Sequence, residues 1–375
     1  MHGKRYVMIT GYATPEGTLN FAKRNQLAAK NHFRSFNGLT LSSIGIGTYL
    51  GDIDNATDSL VKEAIKKSVL SAINVIDTAI NYRSQKAERS VGRAVSELLE
   101  EGAAKREEMF ISTKNGYVTN DGDVNEEFWQ YIHNTLVKPG IIKSNDISSG
   151  YHCMTIPYLE QQLNQSLKNL GLGCVDLIYL HNAVEGQLQD ISKEEFMRKL
   201  RDVFEFYEKQ RKNGNIRYYG MATWDCFRVP NEHPQHILLS DVIRLAKEAG
   251  GNEHGFRFIQ LPYNMYLDQA LILKNQIVNG SEVSILETAI NFGIGVFASV
   301  PLMQAKLLKP NTIPEFGNLQ RPSHRALQFV RSTPGIIAPL VGQKTTDHVN
   351  ENLELVKIEP LSNIEFTDII KKLSS

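Results

Sequence analysis

Eight short apolar runs, rich in β-branched and aromatic residues, recur along the chain and are separated by segments with a helical pattern. The runs are Ser43–Ile46, Asn74–Asp77, Met109–Thr113, Val175–Leu180, Tyr218–Ala222, Phe258–Leu261, Gly295–Ser299 and Ile336–Val341. Between the runs apolar residues recur every three or four positions, as at Val61, Ile65 and Val69, which is typical of a helix with one buried face. This alternation of buried strands and amphipathic helices predicts an α/β protein with a parallel sheet.

The spacing of the runs favours one closed barrel over two domains. Successive runs begin about 30 to 40 residues apart, and only the gap between the third and the fourth is longer, at roughly 65 residues. Eight such units suit a (β/α)8 TIM barrel, although 375 residues would also allow two domains of about 150 residues. We expect a single barrel domain over residues 37–375, an N-terminal extension over residues 1–36, and an insertion after strand 3 at about residues 115–155. The insertion should lie on the catalytic face of the barrel, as a lid or pocket wall or as a passive surface excursion.

Charge and composition exclude several classes of partner. The 41 Lys and Arg residues balance 41 Asp and Glu residues, so the chain has no net basic field to attract nucleic acid or a membrane surface. The most apolar stretch, residues 284–303, contains Glu287 and Asn291 and is too interrupted to span a bilayer. Three cysteines lie far apart without a C-x-x-C pair: Cys153, Cys174 and Cys226. This cysteine usage predicts neither a metal site nor a disulfide framework, and it favours a cytoplasmic location. The oligomeric state stays unknown.

Four polar residues follow the ends of neighbouring predicted strands, where a barrel directs side chains into its mouth. They are Asp77, Tyr82, Lys114 and His181. Taken singly, each has an ordinary structural interpretation: a helix cap, a packing ring, a solvated amine and a core histidine. Together they form a plausible acid catalyst, because an ammonium beside a tyrosine lowers its pKa, a carboxylate keeps that ammonium charged, and an imidazole orients a carbonyl oxygen. The chemistry indicated is hydride delivery to a carbonyl with Tyr82 protonating the oxygen, or the reverse.

The motifs around these residues resemble those of the aldo-keto reductase family over roughly residues 38–356. Asp77–Tyr82 is similar to its D-x-A-x-x-Y signature, Ser112–Lys114 to its lysine strand, and Val175–His181 to its D-L-x-x-x-H strand. The resemblance implies a (β/α)8 barrel that binds an extended nicotinamide cofactor, with Tyr82 as the general acid and base and with Asp77, Lys114 and His181 as its partners.

The resemblance also implies cofactor contacts after most strands. They transfer to Gly47, Thr48, Asp77, Ala222, Thr223, Gln260, Ser299, Pro301, Leu302, Gln304, Lys306, Gly342, Lys344, Thr345, His348, Glu351 and Asn352. Some positions depart from the family pattern, since Ala222-Thr223 replaces a serine-asparagine pair that grips the carboxamide, and Ser299 replaces an aromatic residue that stacks on the nicotinamide. Gly342 and His348 stand where NADP-dependent members carry basic or polar phosphate ligands, but Lys344 and Thr345 are available, so NADP(H) is favoured over NAD(H).

The substrate pocket is expected to include Arg83, Tyr117, Trp129 and Trp224. Two extra residues after Tyr82 leave Arg83 beside the acid, where it either binds an anionic group of the substrate or is solvated at a helix start. The predicted function is an NAD(P)(H)-dependent oxidoreductase acting on a small-molecule carbonyl or sugar. The alternative is a catalytically weak, cofactor-binding regulatory barrel that senses redox state for a protein partner.

Overall fold

Eight parallel strands close into a barrel in the computed structural model, which describes residues 8–309 and 312–374. The strands are β1 Phe33–Phe36, β2 Leu39–Ser42, β3 Gly45–Gly47, β4 Val75–Asp77, β5 Phe110–Asn115, β6 Val175–His181, β7 Ile216–Ala222, β8 Phe256–Pro262, β9 Gln276–Val278, β10 Ser281–Val283, β11 Gly295–Ser299 and β12 Ile336–Gly342. The barrel order is β3-β4-β5-β6-β7-β8-β11-β12, and β12 pairs with β3 to close the ring. The fold is therefore the expected (β/α)8 TIM barrel, and each of the eight apolar runs overlaps a barrel strand.

Helices alternate with the barrel strands, and further helices precede the barrel, lie in its loops and follow its last strand. They are α1 Pro15–Arg24, α2 Asn55–Leu70, α3 Lys86–Glu100, α4 Phe128–Ile132, α5 Ile156–Leu170, α6 Ala183–Gln187, α7 Lys193–Lys212, α8 Leu239–Gly250, α9 Gln269–Ile272, α10 Ile285–Phe292, α11 Pro322–Ser332, α12 Thr346–Glu354 and α13 Asn363–Ser374. Among the described residues, no helix is long and apolar enough to cross a membrane.

An apolar core fills the inside of the barrel. Inward-facing rings of Phe110, Phe258 and Phe297 lie 5.3 to 6.1 Å apart between centroids. The antiparallel hairpin β1–β2 packs against them from the N-terminal ends of the strands, where the Phe36 ring lies 5.0 Å from that of Phe258. Leu39 of the same hairpin is 1% exposed. The hairpin therefore closes one end of the barrel, and the functional site is confined to the other.

The chain before the hairpin is joined to the barrel through buried contacts. The backbone N–H of Ala13 donates to Asp176 Oδ1 at 2.6 Å, Arg24 forms an ion pair with the buried Glu108, and Phe21 is 1% exposed. Thr14 caps α1 by accepting from the Gly17 N–H at 2.9 Å. Residues 13–24 thus pack as part of the barrel's surface layer, while the proposed domain boundary at residues 36 and 37 stays a prediction.

The long segment between β5 and α5 begins and ends beside the same strand. An isolated bridge pairs Tyr117 with His152, and the Cys153 N–H donates to the Gly116 carbonyl at 2.9 Å. Between these points lie α4, a π-helical turn at His133–Val137 and a 3-10 turn at Ser144–Asp146. The insertion is therefore anchored at its base on the C-terminal side of β5, next to the predicted catalytic residues.

Candidate active site

The four predicted catalytic side chains meet at the C-terminal ends of three adjacent strands. Asp77 ends β4, Lys114 lies near the end of β5 and His181 ends β6, while Tyr82 lies on the turn that follows β4. The Lys114 Nζ atom is 4.7 Å from the centre of the Tyr82 ring. The His181 and Tyr82 ring centroids are 5.8 Å apart. Register forces this grouping, because parallel neighbours end at the same edge of the barrel.

Asp77 and Lys114 form a buried ion pair beneath Tyr82. Lys114 is fully buried, and its ammonium donates to Asp77 Oδ2 and to the Thr78 carbonyl, the latter at 2.9 Å. Asp77 Oδ1 accepts from Ser112 Oγ at 2.7 Å and from Gln260 Nε2 at 3.0 Å. Burial alone would lower the pKa of Lys114, but Asp77 and Tyr82 raise it above its usual value. The amine is therefore held protonated.

The pKa of Tyr82 is raised, which corrects the expectation that Lys114 lowers it below the usual value. Burial of the phenol is the largest cause, because it penalises the phenolate. The Lys114 charge opposes burial, and the Asp77 charge reinforces it. Because Asp77 largely neutralises Lys114, the ammonium offsets only part of the cost of burying a phenolate. Tyr82 is therefore a protonated donor at neutral pH.

His181 is held as a neutral imidazole. Burial, followed by the charges of Lys114 and His152, lowers its pKa well below the usual value. Its Nδ1 atom is buried without a hydrogen-bond partner among the described residues. A neutral ring can orient a carbonyl oxygen, whereas an imidazolium would compete with Tyr82 as the acid.

His152 lies behind His181 and was missed by the sequence analysis. Its Nε2 atom lies 3.0 Å from the His181 carbonyl oxygen, and Gln187 Nε2 lies 3.1 Å from its Nδ1. A Cβ atom at Gly116 would lie 2.3 Å from His152 Nε2, and one at Gly186 would lie 2.7 Å from the His152 Cβ. Two glycines thus make room for this ring. No motif marks it, since it follows Tyr151 in an irregular segment.

Two tyrosines flank Tyr82 and His181. The Tyr49 ring, which the sequence analysis missed, lies edge-on to Tyr82 with centroids 5.0 Å apart and is 57% exposed. On the other side the predicted pocket residue Tyr117 lies 5.0 Å from His181. Burial raises the pKa of the Tyr117 hydroxyl, which accepts from Asn182 Nδ2 at 3.3 Å. The mouth thus has aromatic walls on both sides of the acid.

Arg83 does not face the mouth, contrary to both expectations for it. Its guanidinium is 2% exposed and donates to Asp58 Oδ1 at 2.8 Å and to Ser90 Oγ at 3.0 Å. The positive charge is therefore already neutralised on the α2 side of the turn. It is neither solvated nor free to bind an anionic substrate.

The two predicted tryptophans lie on exposed segments of the same face. Trp224 is the second residue after β7, is 42% exposed, and donates its backbone N–H to Glu185 Oε1 at 2.9 Å. Trp129 on α4 is 48% exposed and stacks on Tyr151 with ring centroids 5.5 Å apart. Their roles as pocket walls stay predictions.

The predicted nicotinamide-side residues also lie at strand ends. Gly47, Ala222 and Ser299 end β3, β7 and β11, and the Thr48 hydroxyl donates to the Asp77 carbonyl at 3.1 Å. The Thr223 hydroxyl donates a hydrogen bond to Glu185 Oε1 at 2.8 Å. That hydroxyl can therefore only accept a hydrogen bond from a ligand. Glu185 was missed because no motif distinguishes it.

The turn after β11 contains several left-handed residues. It includes the predicted residues Pro301, Leu302, Gln304 and Lys306, and positive φ angles occur at Val300 (55°), Met303 (49°), Gln304 (52°) and Ala305 (67°). Three of these residues are consecutive, and such non-glycine conformations persist only where neighbouring structure holds them. The role of this turn in binding a pyrophosphate stays a prediction.

The segment after β12 places a lysine beside a helix N-terminus. Thr345 caps α12, and the Lys344 ammonium lies 3.3 Å from the position that a Gly51 Cβ atom would take. A helix N-terminus beside a lysine favours a phosphate group. Of the other residues predicted here, Asn352 donates to Gln343 Oε1 at 2.8 Å and Glu351 pairs with Arg321 at 3.0 Å. Gly342 ends β12 and His348 is exposed.

Known proteins share this fold and these strands. An aldo/keto reductase from Klebsiella pneumoniae, solved with NADP and acetate, has a TM-score of 0.61 at 19% identity, covering 92% of this chain and 96% of that one. The holo form of an aldo-keto reductase from Bacillus halodurans has a TM-score of 0.59 at 20% identity, with coverage of 92% and 96%.

Curated relatives match shorter stretches. Aldose reductase C of Dictyostelium discoideum is 25% identical over 151 residues, which are 40% of this chain and 34% of that protein. NADPH-dependent D-xylose reductase of Candida boidinii is 26% identical over 157 residues, or 42% and 36% of the two chains. The matched region thus covers about a third of the length of these two relatives. The sequence model of the aldo/keto reductase family matches residues 43–374, and the chain belongs to this family.

Proposed function

We propose that the protein transfers hydride between NADP(H) and a small carbonyl compound or sugar, with Tyr82 as the general acid. The observation that carries this proposal is the grouping of a protonated Tyr82, an ammonium at Lys114 and a neutral His181 at one barrel mouth. Family membership supports an oxidoreductase acting on carbonyls, and no observation favours a redox-sensing regulatory barrel instead.

In the direction of reduction, a nicotinamide cofactor held at the barrel mouth would supply the hydride for the carbonyl carbon. The Tyr82 hydroxyl then gives its proton to the carbonyl oxygen, so one hydride and one proton convert the carbonyl to an alcohol. The Lys114 ammonium, 4.7 Å from the ring centre, stabilises the phenolate that remains, and Asp77 keeps that ammonium charged. His181 orients the oxygen without contributing a competing proton.

The cofactor is proposed to lie across the strand ends. The nicotinamide half would be held by Thr48, Asp77, Thr223, Gln260 and Ser299. The turn after β11 would bind the pyrophosphate, and Lys344 with the α12 N-terminus would bind a 2′-phosphate. That lysine is the reason for favouring NADP(H).

The substrate is proposed to be small and uncharged. Tyr49 and Tyr117 supply aromatic walls on either side of the acid, and the nearby cations of Arg83 and Lys114 are both paired with carboxylates. Sugars fit such walls, and relatives named for aldose and D-xylose support this class.

The protein is proposed to be cytoplasmic. Its three free, buried cysteines agree with a reducing compartment.

The test is Tyr82→Phe, with Tyr49→Phe as the matched control on the neighbouring ring. Losing the acid should lower single-turnover NADPH oxidation by about 10²- to 10⁴-fold, while the NADPH Kd from fluorescence titration changes little. The control should retain turnover within a few fold. Equal turnover of Tyr82→Phe and the unaltered protein would refute the mechanism, and tight cofactor binding without turnover of any carbonyl would support the regulatory alternative.

A further inference from the structure

Tyr82 is followed by three consecutive residues with left-handed backbones. The φ angles of Arg83, Ser84 and Gln85 are 47°, 49° and 73°. Non-glycine residues in this region cost about 1–2 kcal/mol each, so a run of three persists only where neighbouring structure holds it. The turn that carries the candidate acid therefore depends on external contacts.

One side of this turn is held by the insertion, through a segment that we call the brace, Asn120–Asp123. The Ser84 hydroxyl donates to Asn120 Oδ1 at 2.8 Å, and Gln85 Nε2 donates to the Asn120 carbonyl at 3.1 Å. In return the Gly122 N–H donates to the Ser84 carbonyl at 2.9 Å. Two of the three left-handed residues are thus bonded to the brace.

Ion pairs fasten the brace to the first turn of α3. Lys86, 3% exposed, contacts Asp123 Oδ1 at 2.6 Å and Asp58 Oδ2 at 3.0 Å. Arg89 contacts Asp121 at 2.6 Å and Asp123 at 2.5 Å. Because Lys86 and Arg89 are partly or fully shielded from water, these contacts are screened less than surface pairs.

The brace is also packed without spare room. A Cβ atom on Gly122 would lie 2.6 Å from Ile53 Cγ2 and 3.0 Å from Lys86 Cδ. Asp58 holds the other side of the turn through Arg83 at 2.8 Å. The turn after Tyr82 is therefore fixed between α2 and the insertion.

We propose that the insertion positions the catalytic tyrosine through the brace, with Asn120 as a positioning residue. This inference rests on the proposed function of Tyr82. The hydroxyl must stay aligned with both Lys114 and the substrate oxygen, and a misplacement of about 1 Å can cost about 100-fold in rate. The insertion is thus a fixed support for the acid, which differs from both a mobile lid and a passive excursion.

The test compares Asn120→Ala with Asp190→Ala, a control that removes a contact at the other end of the insertion. Asp190 lies after α6 and accepts from the Ser149 N–H of the insertion at 2.8 Å and from its hydroxyl at 2.9 Å, so the alanine loosens the insertion away from the brace. Asn120→Ala should lower kcat about 10- to 100-fold while KM and the NADPH Kd stay within threefold. Asp190→Ala should leave kcat within twofold.

Asn120→Asp should restore most of kcat, because a carboxylate oxygen still accepts from Ser84. If Asn120→Ala does not fold, Ser84→Ala removes the same hydrogen bond from the barrel side. A kcat within twofold of the unaltered protein in either folded variant would overturn the inference, as would equal losses in Asp190→Ala. Absence of turnover in the unaltered protein, or full activity of Tyr82→Phe, would instead refute the proposed function.

Discussion

At the scale of single residues, the site depends on how burial divides charge among four groups. The Lys114 amine stays protonated because it pairs with the Asp77 carboxylate in a fully buried position. Tyr82 and His181 are held in their neutral forms by the same burial. One low-dielectric environment therefore produces both the charged support and the uncharged donor.

The pH dependence of reduction follows from these states. Tyr82 must be protonated to act as the acid, and burial raises its pKa, so the donor form persists up to and beyond the usual value near 10. His181 does not titrate near 6.5, because its pKa is lowered. We expect kcat for carbonyl reduction to be flat between about pH 6 and 9. A steady-state pH profile checks this, and an inflection near pH 6.5 would assign the proton to an imidazolium instead.

The buried ion pair gives a second prediction at this scale. Asp77→Asn leaves the Lys114 charge buried without its carboxylate, which should lower the free energy of unfolding by about 3–5 kcal/mol. Asp77→Asn combined with Lys114→Met removes both charges and should recover much of that loss, while turnover stays low in both variants. Urea unfolding measures the difference. Equal stability of the single and the double variant would show that the pair is not the source of the cost.

Motif spacing predicted the grouping of the four candidate catalytic side chains, because each lies at or just beyond the end of a strand whose apolar pattern is clear. It failed for Arg83, whose partner Asp58 belongs to a different element, and for the direction of the Tyr82 pKa. Ser112 could have been found, since it shares a strand face with Lys114 two residues later. Burial and partner choice depend on three-dimensional packing, which one sequence does not contain.

At the scale of elements, the insertion after β5 contacts the barrel in two places. Its returning end carries His152, which packs between Gly116 and Gly186 and contacts the His181 backbone at 3.0 Å. Its early part contains the brace. His152 thus lies against the ends of β5 and β6, whereas the brace lies against the turn after β4 and the start of α3.

Burial of His152 predicts an acid-sensitive contribution to stability. Its pKa is lowered to about 4 by burial, so the folded protein prefers the neutral ring while the unfolded chain binds a proton below about 6.5. The stabilisation is complete above pH 6.5 and is lost as the pH falls toward 4. Between pH 7 and 4.5 we expect a loss of about 2–3 kcal/mol from this ring.

Denaturant unfolding at several pH values checks that contribution. His32 and His254 have pKa values lowered to about 4 as well, so the unaltered protein should lose more than one ring accounts for. His152→Gln should remove only its own share of the slope. An unchanged slope in this variant would contradict the assignment.

The strands could be predicted well because each is a continuous apolar run, as at Gly295–Ser299, where the run and the strand coincide. The existence of the insertion followed from one long gap between strands. The contacts between the insertion and the rest of the barrel could not be predicted from the sequence. Asn120 and Asp123 are ordinary loop residues in sequence and acquire a role only beside Ser84 and Lys86.

At the scale of the whole molecule, the N-terminal segment is joined to the barrel at several points. Ala13, Phe21 and Arg24 contact or cover buried residues of the barrel. A chain that begins at Asn37 would lose these contacts together with β1, the only strand paired to β2 in the described part of the chain.

We expect that shortened chain to melt at least about 10 °C below the full chain, because it loses a buried phenylalanine and several buried polar contacts. A chain that begins at Met8 keeps all of them and is the matched control. Calorimetry or thermal circular dichroism measures both midpoints. Equal midpoints for the two shortened chains would show that the segment is dispensable and would support a domain beginning at residue 37.

The β1–β2 hairpin and the phenylalanine rings above it also determine how protons reach the site. With one end of the barrel closed by Phe36, Leu39 and the rings of Phe110 and Phe258, the described residues leave bulk water to reach Tyr82 from the mouth. In the proposed reduction, the phenolate would be reprotonated along that same path. Release of the alcohol and recovery of the acid would then be linked, since the product lies in the passage by which a proton returns.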